Sequence, residues 1–313
     1  MTPVKNYLSL IKFSHTIFAM PFALIGFFLA AHEAIGEQVA GGFDDYQPAR
    51  WNADPEQANP LWQTFILVIL CMVFARSAAM AFNRYLDRRY DALNPRTAVR
   101  EIPRGIISPG NALLFTIISC ILFVAACYFI NRICLYLSPV ALAVVLGYSY
   151  TKRFTPLCHL ILGLGLSLAP VGAYLAVTGV FHWIPVLFGI AVLLWVSGFD
   201  IIYALQDVEF DASQQLYSMP VWVGKRRALR ISELLHVLSA LAVIAAGILG
   251  EFGWLYWVGV LVFTGCLLYQ HLIVKPDDLR RVNLAFMTTN GIASVVFAIF
   301  VIVDLFLDLP PLF

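Results

Sequence analysis

Charge is what this sequence has least of. Only 12% of its 313 residues are Asp, Glu, Lys or Arg, where a soluble domain carries about 25%. In their place, 61% are hydrophobic. A soluble fold of this length buries only about three quarters of the chain's surface, so much of that apolar area would face water. The scarcity of charge therefore excludes an ordinary soluble protein and a disordered chain, and a net charge of +1 excludes a polyelectrolyte that binds nucleic acid. Cysteine is also sparse. Cys71, Cys120, Cys127, Cys134, Cys158 and Cys266 lie in or at the ends of apolar runs. They form neither a metal-type pair nor a disulfide framework and read as small buried hydrophobes. The N-terminal apolar stretch lacks an A-x-A-like exit, so it reads as a membrane helix and not as a cleaved signal.

What is present is a series of long apolar runs. A membrane helix needs about 20 mostly apolar residues, and nine segments qualify: Phe13–Ala34, Leu61–Phe82, Asn111–Ile130, Ile133–Tyr150, Pro156–Phe181, Trp183–Leu205, Ile231–Gly250, Gly253–Ile273 and Leu284–Leu307. None alternates with the period of two that a membrane barrel requires. The expected fold is an all-α membrane protein of nine transmembrane helices, residues 1–313 forming a single domain. Seventeen of the twenty lysines and arginines fall at the N-terminus or in the loops after every second helix, two fall on the other side, and Arg76 lies within the second run. That asymmetry places the N-terminus in the cytoplasm, in what is expected to be a bacterial inner membrane. Residues 35–60 form a long non-cytoplasmic connector, to which no chemistry is assigned.

Two cytoplasmic stretches, 83–110 and 206–230, gather charge of both signs. In the first, Asn83, Asp87 and Asp91 recur every four residues on a helical extension of the second run. That spacing stacks them on one face, about 6 Å of rise apart. In the second, Asp207 and Asp211 repeat the interval. Carboxylates at i, i+4 repel in an isolated helix. Two such faces opposed across a bundle suit Mg²⁺, which takes one or two carboxylates, waters and substrate phosphates. Neighbouring arginines and lysines would then meet the remaining charge of a diphosphate.

With these residues in view, the chain resembles the UbiA superfamily of intramembrane aromatic prenyltransferases. Asn83, Asp87 and Asp91 meet its N-x-x-x-D-x-x-x-D pattern. Asp207 and Asp211 meet its D-x-x-x-D pattern within DIIYALQDVEFD. Arg96, Thr97, Arg100, Ile102, Pro103 and Gly105 meet the R-T-x-x-R-x-I-P-x-G continuation. The string YSYTKRFT is similar to the family's basic loop. The opening KFSHTIFAMPFALIG is similar to the start of 4-hydroxybenzoate polyprenyltransferases and their menaquinone-pathway relatives. The resemblance implies a nine-helix bundle whose cytoplasmic helical loops cap the site. It also implies Mg²⁺-dependent transfer of a polyprenyl group from its diphosphate to an aromatic acid, 4-hydroxybenzoate or a dihydroxynaphthoate-type acceptor, in ubiquinone or menaquinone biosynthesis.

The residue roles follow from that resemblance. Asn83, Asp87, Asp91, Asp207 and Asp211 would hold Mg²⁺ and the diphosphate, with the four aspartates as the catalytic set and Asp207 a candidate for polarising the acceptor phenol. Arg76 and Lys152 match positions where a cation meets the diphosphate, and Arg96, Arg100 and Arg153 are further candidates. Lys12 and His15 would grip an acceptor carboxylate, and Tyr148 and Tyr203 would line the pocket. Asp200 reads equally as a third metal-site carboxylate or as a buried hydrogen-bonding partner. The expected partners are polyprenyl diphosphate, an aromatic acid and membrane lipid, with no nucleic acid and no obligate protein partner. An ion-coupled transporter is the main alternative, yet it would place carboxylates near the bilayer midplane. A CDP-alcohol phosphotransferase would carry a D-G-x-x-A-R segment, which this sequence does not contain.

Overall fold

The computed structural model of the chain describes residues 3–11, 18–41, 59–307 and 309–311. Among these, regular structure is helical. The helices are α1 (Pro3–Leu10), α2 (Met20–Gly41), α3 (Leu61–Leu93), α4 (Pro109–Ile130), α5 (Arg132–Thr151), α6 (Cys158–Thr178), α7 (Trp183–Ala204), α8 (Val208–Ser213), α9 (Met219–Val223), α10 (Lys225–Leu249), α11 (Trp254–Ile273) and α12 (Asn290–Phe306). Eight segments of the described chain are long and apolar enough to cross a membrane, and Met20–Gly36 is a shorter apolar helix. The first expected span, Phe13–Ala34, is described only from Phe18 onward. Lys12 and His15 lie outside the described residues, as do 42–58 of the long connector.

Helix boundaries follow local chemistry. At the start of α4, Ser108 caps the helix by accepting from the Asn111 amide at 3.2 Å, and Pro109 occupies a first-turn position where its missing N–H is harmless. At the end of α3, Asn94 turns the chain out of the helix, its Oδ1 accepting from the Arg96 amide at 3.0 Å, just where Pro95 forbids another helical bond. At 33 residues, α3 is about 50 Å long, well beyond a hydrocarbon core of about 30 Å. The excess carries Asn83, Asp87 and Asp91 to the charged end of the bundle on one helical extension, as the spacing of these residues leads one to expect.

The region after α7 differs from expectation. Asp207 and Asp211 do not share one continuous helix. The α-helix stops at Ala204, a 3₁₀ turn spans Leu205–Asp207, and α8 then carries Asp211.

Packing divides the bundle into two halves. Between α2, α7, α10, α11 and α12 the core is dense with aromatics. Phe22, Phe188, Trp195, Phe263 and Phe297 are fully buried there, with ring centroids 5.3–6.3 Å apart along the chain of contacts from Trp195 to Phe188. The half built by α3, α4, α5 and α6 encloses open volume instead. Close approach ties the halves together. A Cβ at Gly163 of α6 would lie 2.3 Å from the Leu193 carbonyl oxygen of α7, so only glycine lets these helices meet. The outer faces are apolar where they meet lipid, as along Leu114, Ile117, Ile118 and Ile121 of α4.

Candidate functional site

At the charged end of the bundle, α3, α5, α6, α7 and α8 surround a polar cavity of about 210 Å³. Asn83, Asp87, Asp91, Arg96, Arg100, Tyr148, Lys152, Arg153, Tyr203, Asp207 and Asp211 all line it. Residues more than 100 positions apart are thus brought together, and both aspartate motifs face one space despite the break after α7.

Each motif carboxylate meets a base. Asp87 Oδ1 accepts from Arg153 Nη2 at 2.8 Å, and its Oδ2 accepts from Asn83 Nδ2 at 3.0 Å. Asp91 Oδ1 accepts from Arg100 Nη1 at 2.7 Å. Asp211 is nearly fully buried and lies 2.8 Å from the Lys152 ammonium. Asp207 receives Arg96 in two-point fashion, from Nε at 3.0 Å and from Nη2, and Asn94 Nδ2 adds a third bond at 3.2 Å. Arg96 also donates to the Tyr203 hydroxyl at 2.8 Å and stacks over that ring. The turn after α3 therefore reaches across the cavity and binds the second motif. This is the geometry in which the planar guanidinium fork outperforms lysine.

The electrostatics balance carboxylates against cations. Burial alone would lower the pKa of the Lys152 ammonium. The charge and hydrogen bond of Asp211, joined by Asp207, more than reverse that and hold it above the ordinary lysine value. Arg96 behaves alike: burial opposes its charge, and the bonds to Asp207 and Tyr203 raise its pKa overall. Two carboxylate oxygens of the cavity, Asp91 Oδ2 and Asp211 Oδ2, are buried without a hydrogen-bond partner, the second of them in ion-pair contact with Lys152. An orphaned hard oxygen among other carboxylates fits a divalent cation such as Mg²⁺, although no three His, Cys, Asp or Glu side chains already converge as a ligand set among the described residues.

Arg76 stands apart from this set. It lines a second, apolar cavity of about 360 Å³ between α3, α4, α5 and α6, with its Nε buried and unpartnered. Seven residues before Asn83, it lies on the same helix but about 10 Å deeper in the bundle. The two cavities adjoin, since Tyr148 and Leu162 line both.

The structure adds residues that the sequence patterns had not marked. Asn94 is a ligand of Asp207. His159 lines the polar cavity, and its Nδ1 lies 2.7 Å from Asp200 Oδ2. For His159 the available signal was an ionisable side chain in an apolar helix. For Asn94 there was none, because an Asn-Pro step reads as a helix stop and nothing more.

Comparison with known proteins agrees with this geometry. The sequence profile of the UbiA prenyltransferase family matches residues 55–292. The 4-hydroxybenzoate octaprenyltransferase of Aeromonas hydrophila is 30% identical over 239 residues, covering 76% of this chain and 82% of that protein. The apo structure of a UbiA homologue from Aeropyrum pernix K1 superposes with a TM-score of 0.74 at 27% identity, covering 94% of this chain and 98% of that one. A UbiA homologue from Archaeoglobus fulgidus, solved bound to DMAPP and Mg²⁺, shares the fold with a TM-score of 0.69 at 20% identity, over 96% of this chain and 99% of that one.

Proposed function

The chain belongs to the UbiA prenyltransferase family, and from that premise we propose that it transfers a polyprenyl group from a polyprenyl diphosphate to an aromatic acid, 4-hydroxybenzoate or a dihydroxynaphthoate-type acceptor, as a step of quinone biosynthesis. One observation carries the reading: a polar cavity holding four paired carboxylates adjoins an apolar cavity within the membrane bundle. A substrate with a diphosphate head and a hydrocarbon tail matches that pair of spaces. The whole chain acts as one transmembrane unit, with its charged end and its N-terminus in the cytoplasm of a bacterial inner membrane.

Asn83, Asp87, Asp91, Asp207 and Asp211 supply the hard oxygens that would hold Mg²⁺, which when bound neutralises diphosphate charge and makes it a better leaving group. Arg96, Arg100, Lys152 and Arg153, now engaged with those carboxylates, are positioned to turn toward phosphate oxygens. Arg76 stands below them, where the head group gives way to the tail. The allylic C–O bond breaks with its electron pair leaving on the diphosphate. A ring carbon of the acceptor then bonds to the allylic carbon, and the proton on that ring carbon passes to the released diphosphate. The apolar walls below Tyr148 keep water from the allylic cation.

The test is direct. Membranes containing the protein are incubated with Mg²⁺, a polyprenyl diphosphate and a panel of aromatic acids, and products are identified by mass. A prenylated acid that disappears on chelation with EDTA is the expected outcome. No product from any acceptor would sink the proposal.

A further inference from the structure

Four of the five aspartates lining the polar cavity are matched to an arginine or a lysine. Asp200 is the exception. Its partner is His159, whose Nδ1 lies 2.7 Å from Asp200 Oδ2. The other ring nitrogen settles the polarity of that bond. His159 Nε2 lies 3.2 Å from the backbone amide of Met219. An amide N–H only donates, so Nε2 accepts, and the ring proton sits on Nδ1 and is donated to Asp200. His159 is thus a neutral donor clamped at both ends, with only 4% of its side chain exposed.

The clamp joins three elements. His159 opens α6, Asp200 lies on α7, and Met219 begins α9. The segment before α9 is itself strapped down, since the Tyr217 amide donates to the Lys152 carbonyl at 2.7 Å. Gly163, one turn after His159, permits the close approach of α6 and α7 that makes the pair possible. Asp200 Oδ1 has no hydrogen-bond partner among the described residues, and the side chain remains 24% exposed toward the cavity.

The location of this free oxygen matters. Asp200 precedes Asp207 by seven residues, about two helical turns deeper in the bundle. It shares the cavity wall with Tyr148 and Leu162, the residues at which the polar and apolar spaces adjoin. A substrate with its head above and its tail below presents its allylic carbon at that junction, so the attacking ring must sit there too. The geometry points to His159 as a positioning residue that fixes the Asp200 carboxylate, so that its free oxygen accepts a hydrogen bond from the hydroxyl of the aromatic acceptor. The inference rests on the prenyl-transfer reading and assigns recognition of the acceptor hydroxyl to Asp200 in place of Asp207, both of whose oxygens are taken by Arg96. A hydrogen bond from that hydroxyl to a carboxylate enriches the ring in electrons just where it attacks. Because the carboxylate is held by a neutral donor and not by a cation, its charge stays available to the acceptor.

The test uses the full-length protein in detergent or vesicles, with a prenyl diphosphate, Mg²⁺ and 4-hydroxybenzoate. His159→Leu removes both bonds. His159→Gln is similar in reach to Nε2, keeping the bond to Met219 while leaving Asp200 unheld. His159→Asn places an amide N–H where Nδ1 was and keeps the bond to Asp200. The expected result is a loss of about 10–100-fold in kcat/KM for the acceptor in His159→Leu and His159→Gln, the usual effect of removing such a supporting partner. His159→Asn should recover most of it. Binding of labelled prenyl diphosphate and the Mg²⁺ concentration giving half-maximal rate should stay near wild type in all three, which also certifies that the variants fold. Unchanged acceptor kinetics in His159→Leu would overturn the inference. So would a His159→Asn variant no better than His159→Leu, or a parallel loss of diphosphate or Mg²⁺ binding, which would place Asp200 in the metal site. If the wild type itself prenylates no hydroxylated acid, the reaction assignment falls and the inference with it. Transfer by the wild type combined with any of the other adverse results overturns the role of His159 alone.

Discussion

Asp91 shows how much of the site rests on single side chains. It is 6% exposed, with one oxygen held by Arg100 and the other orphaned. The side chain therefore has one oxygen bonded within the protein and one without a hydrogen-bond partner, which would serve as a divalent-cation ligand. Asp91→Asn keeps the volume, weakens the bond to Arg100 and removes a charge. Hydrogen bonds to charged groups contribute about 1.5–3 kcal/mol, so kcat/KM for the prenyl diphosphate should fall by about 10–100-fold, with a higher Mg²⁺ requirement. Steady-state kinetics over a range of Mg²⁺ concentrations checks this, and a variant with wild-type Mg²⁺ dependence would remove Asp91 from the ligand set. Arg96→Lys tests the opposing cation. Lysine keeps the charge but loses the fork that spans both oxygens of Asp207 and the Tyr203 hydroxyl. The expected outcome is a kcat/KM lowered by at least about tenfold with protein yield unchanged, the loss of one charged hydrogen bond at the low end of its range.

At the scale of elements, the sequence made some features legible and hid others, for physical reasons. The overlong α3 was legible because the four-residue interval of Asn83, Asp87 and Asp91 continues the helical period out of an apolar run. The break at Ala204 was not. The interval between Asp207 and Asp211 also fits a helix, and no Gly or Pro marks the 3₁₀ turn. Ion-pair partners between loops were illegible in detail, because any of six arginines between 84 and 104 could have faced Asp207, and only the turn at Asn94 and Pro95 selects Arg96. The contact between α6 and α7 belongs to this hidden class as well. Gly163 looks like any glycine of a membrane helix, yet a Cβ there would also lie 2.5 Å from Ser197 Oγ. Gly163→Ala should therefore push the two helices apart. Overpacking of this kind costs about 1–3 kcal/mol, visible as a lower midpoint of thermal unfolding in detergent. Acceptor kinetics should fall further than prenyl diphosphate binding, because the displaced pair is His159 and Asp200.

At the scale of the molecule, the scarcity of charge and the division of labour between the halves have one explanation. The aromatic half formed by α2, α7, α10, α11 and α12 is filled to the centre, which fixes the frame. The half formed by α3, α4, α5 and α6 gives up packing to hold an apolar space, and a charged mouth closes one end of it. The residues around an apolar cavity of about 360 Å³ lack packing partners on that side, so a ligand tail that fills it supplies the missing contacts. The walls should then set which isoprenoid fits. Gly172 of α6 lines the cavity, and a Cβ at this position meets nothing within 4 Å, so a larger side chain enters open space without moving backbone. Gly172→Phe should leave the charged mouth intact and shorten the accepted chain. Transfer from a short prenyl diphosphate such as geranyl diphosphate should persist near the wild-type rate, while transfer from a long polyprenyl diphosphate falls. Competition between the two donors, with products separated by mass, measures the ratio directly. An unchanged preference would mean that the tail does not lie between α3, α4, α5 and α6, and the pairing of polar and apolar spaces would lose its meaning.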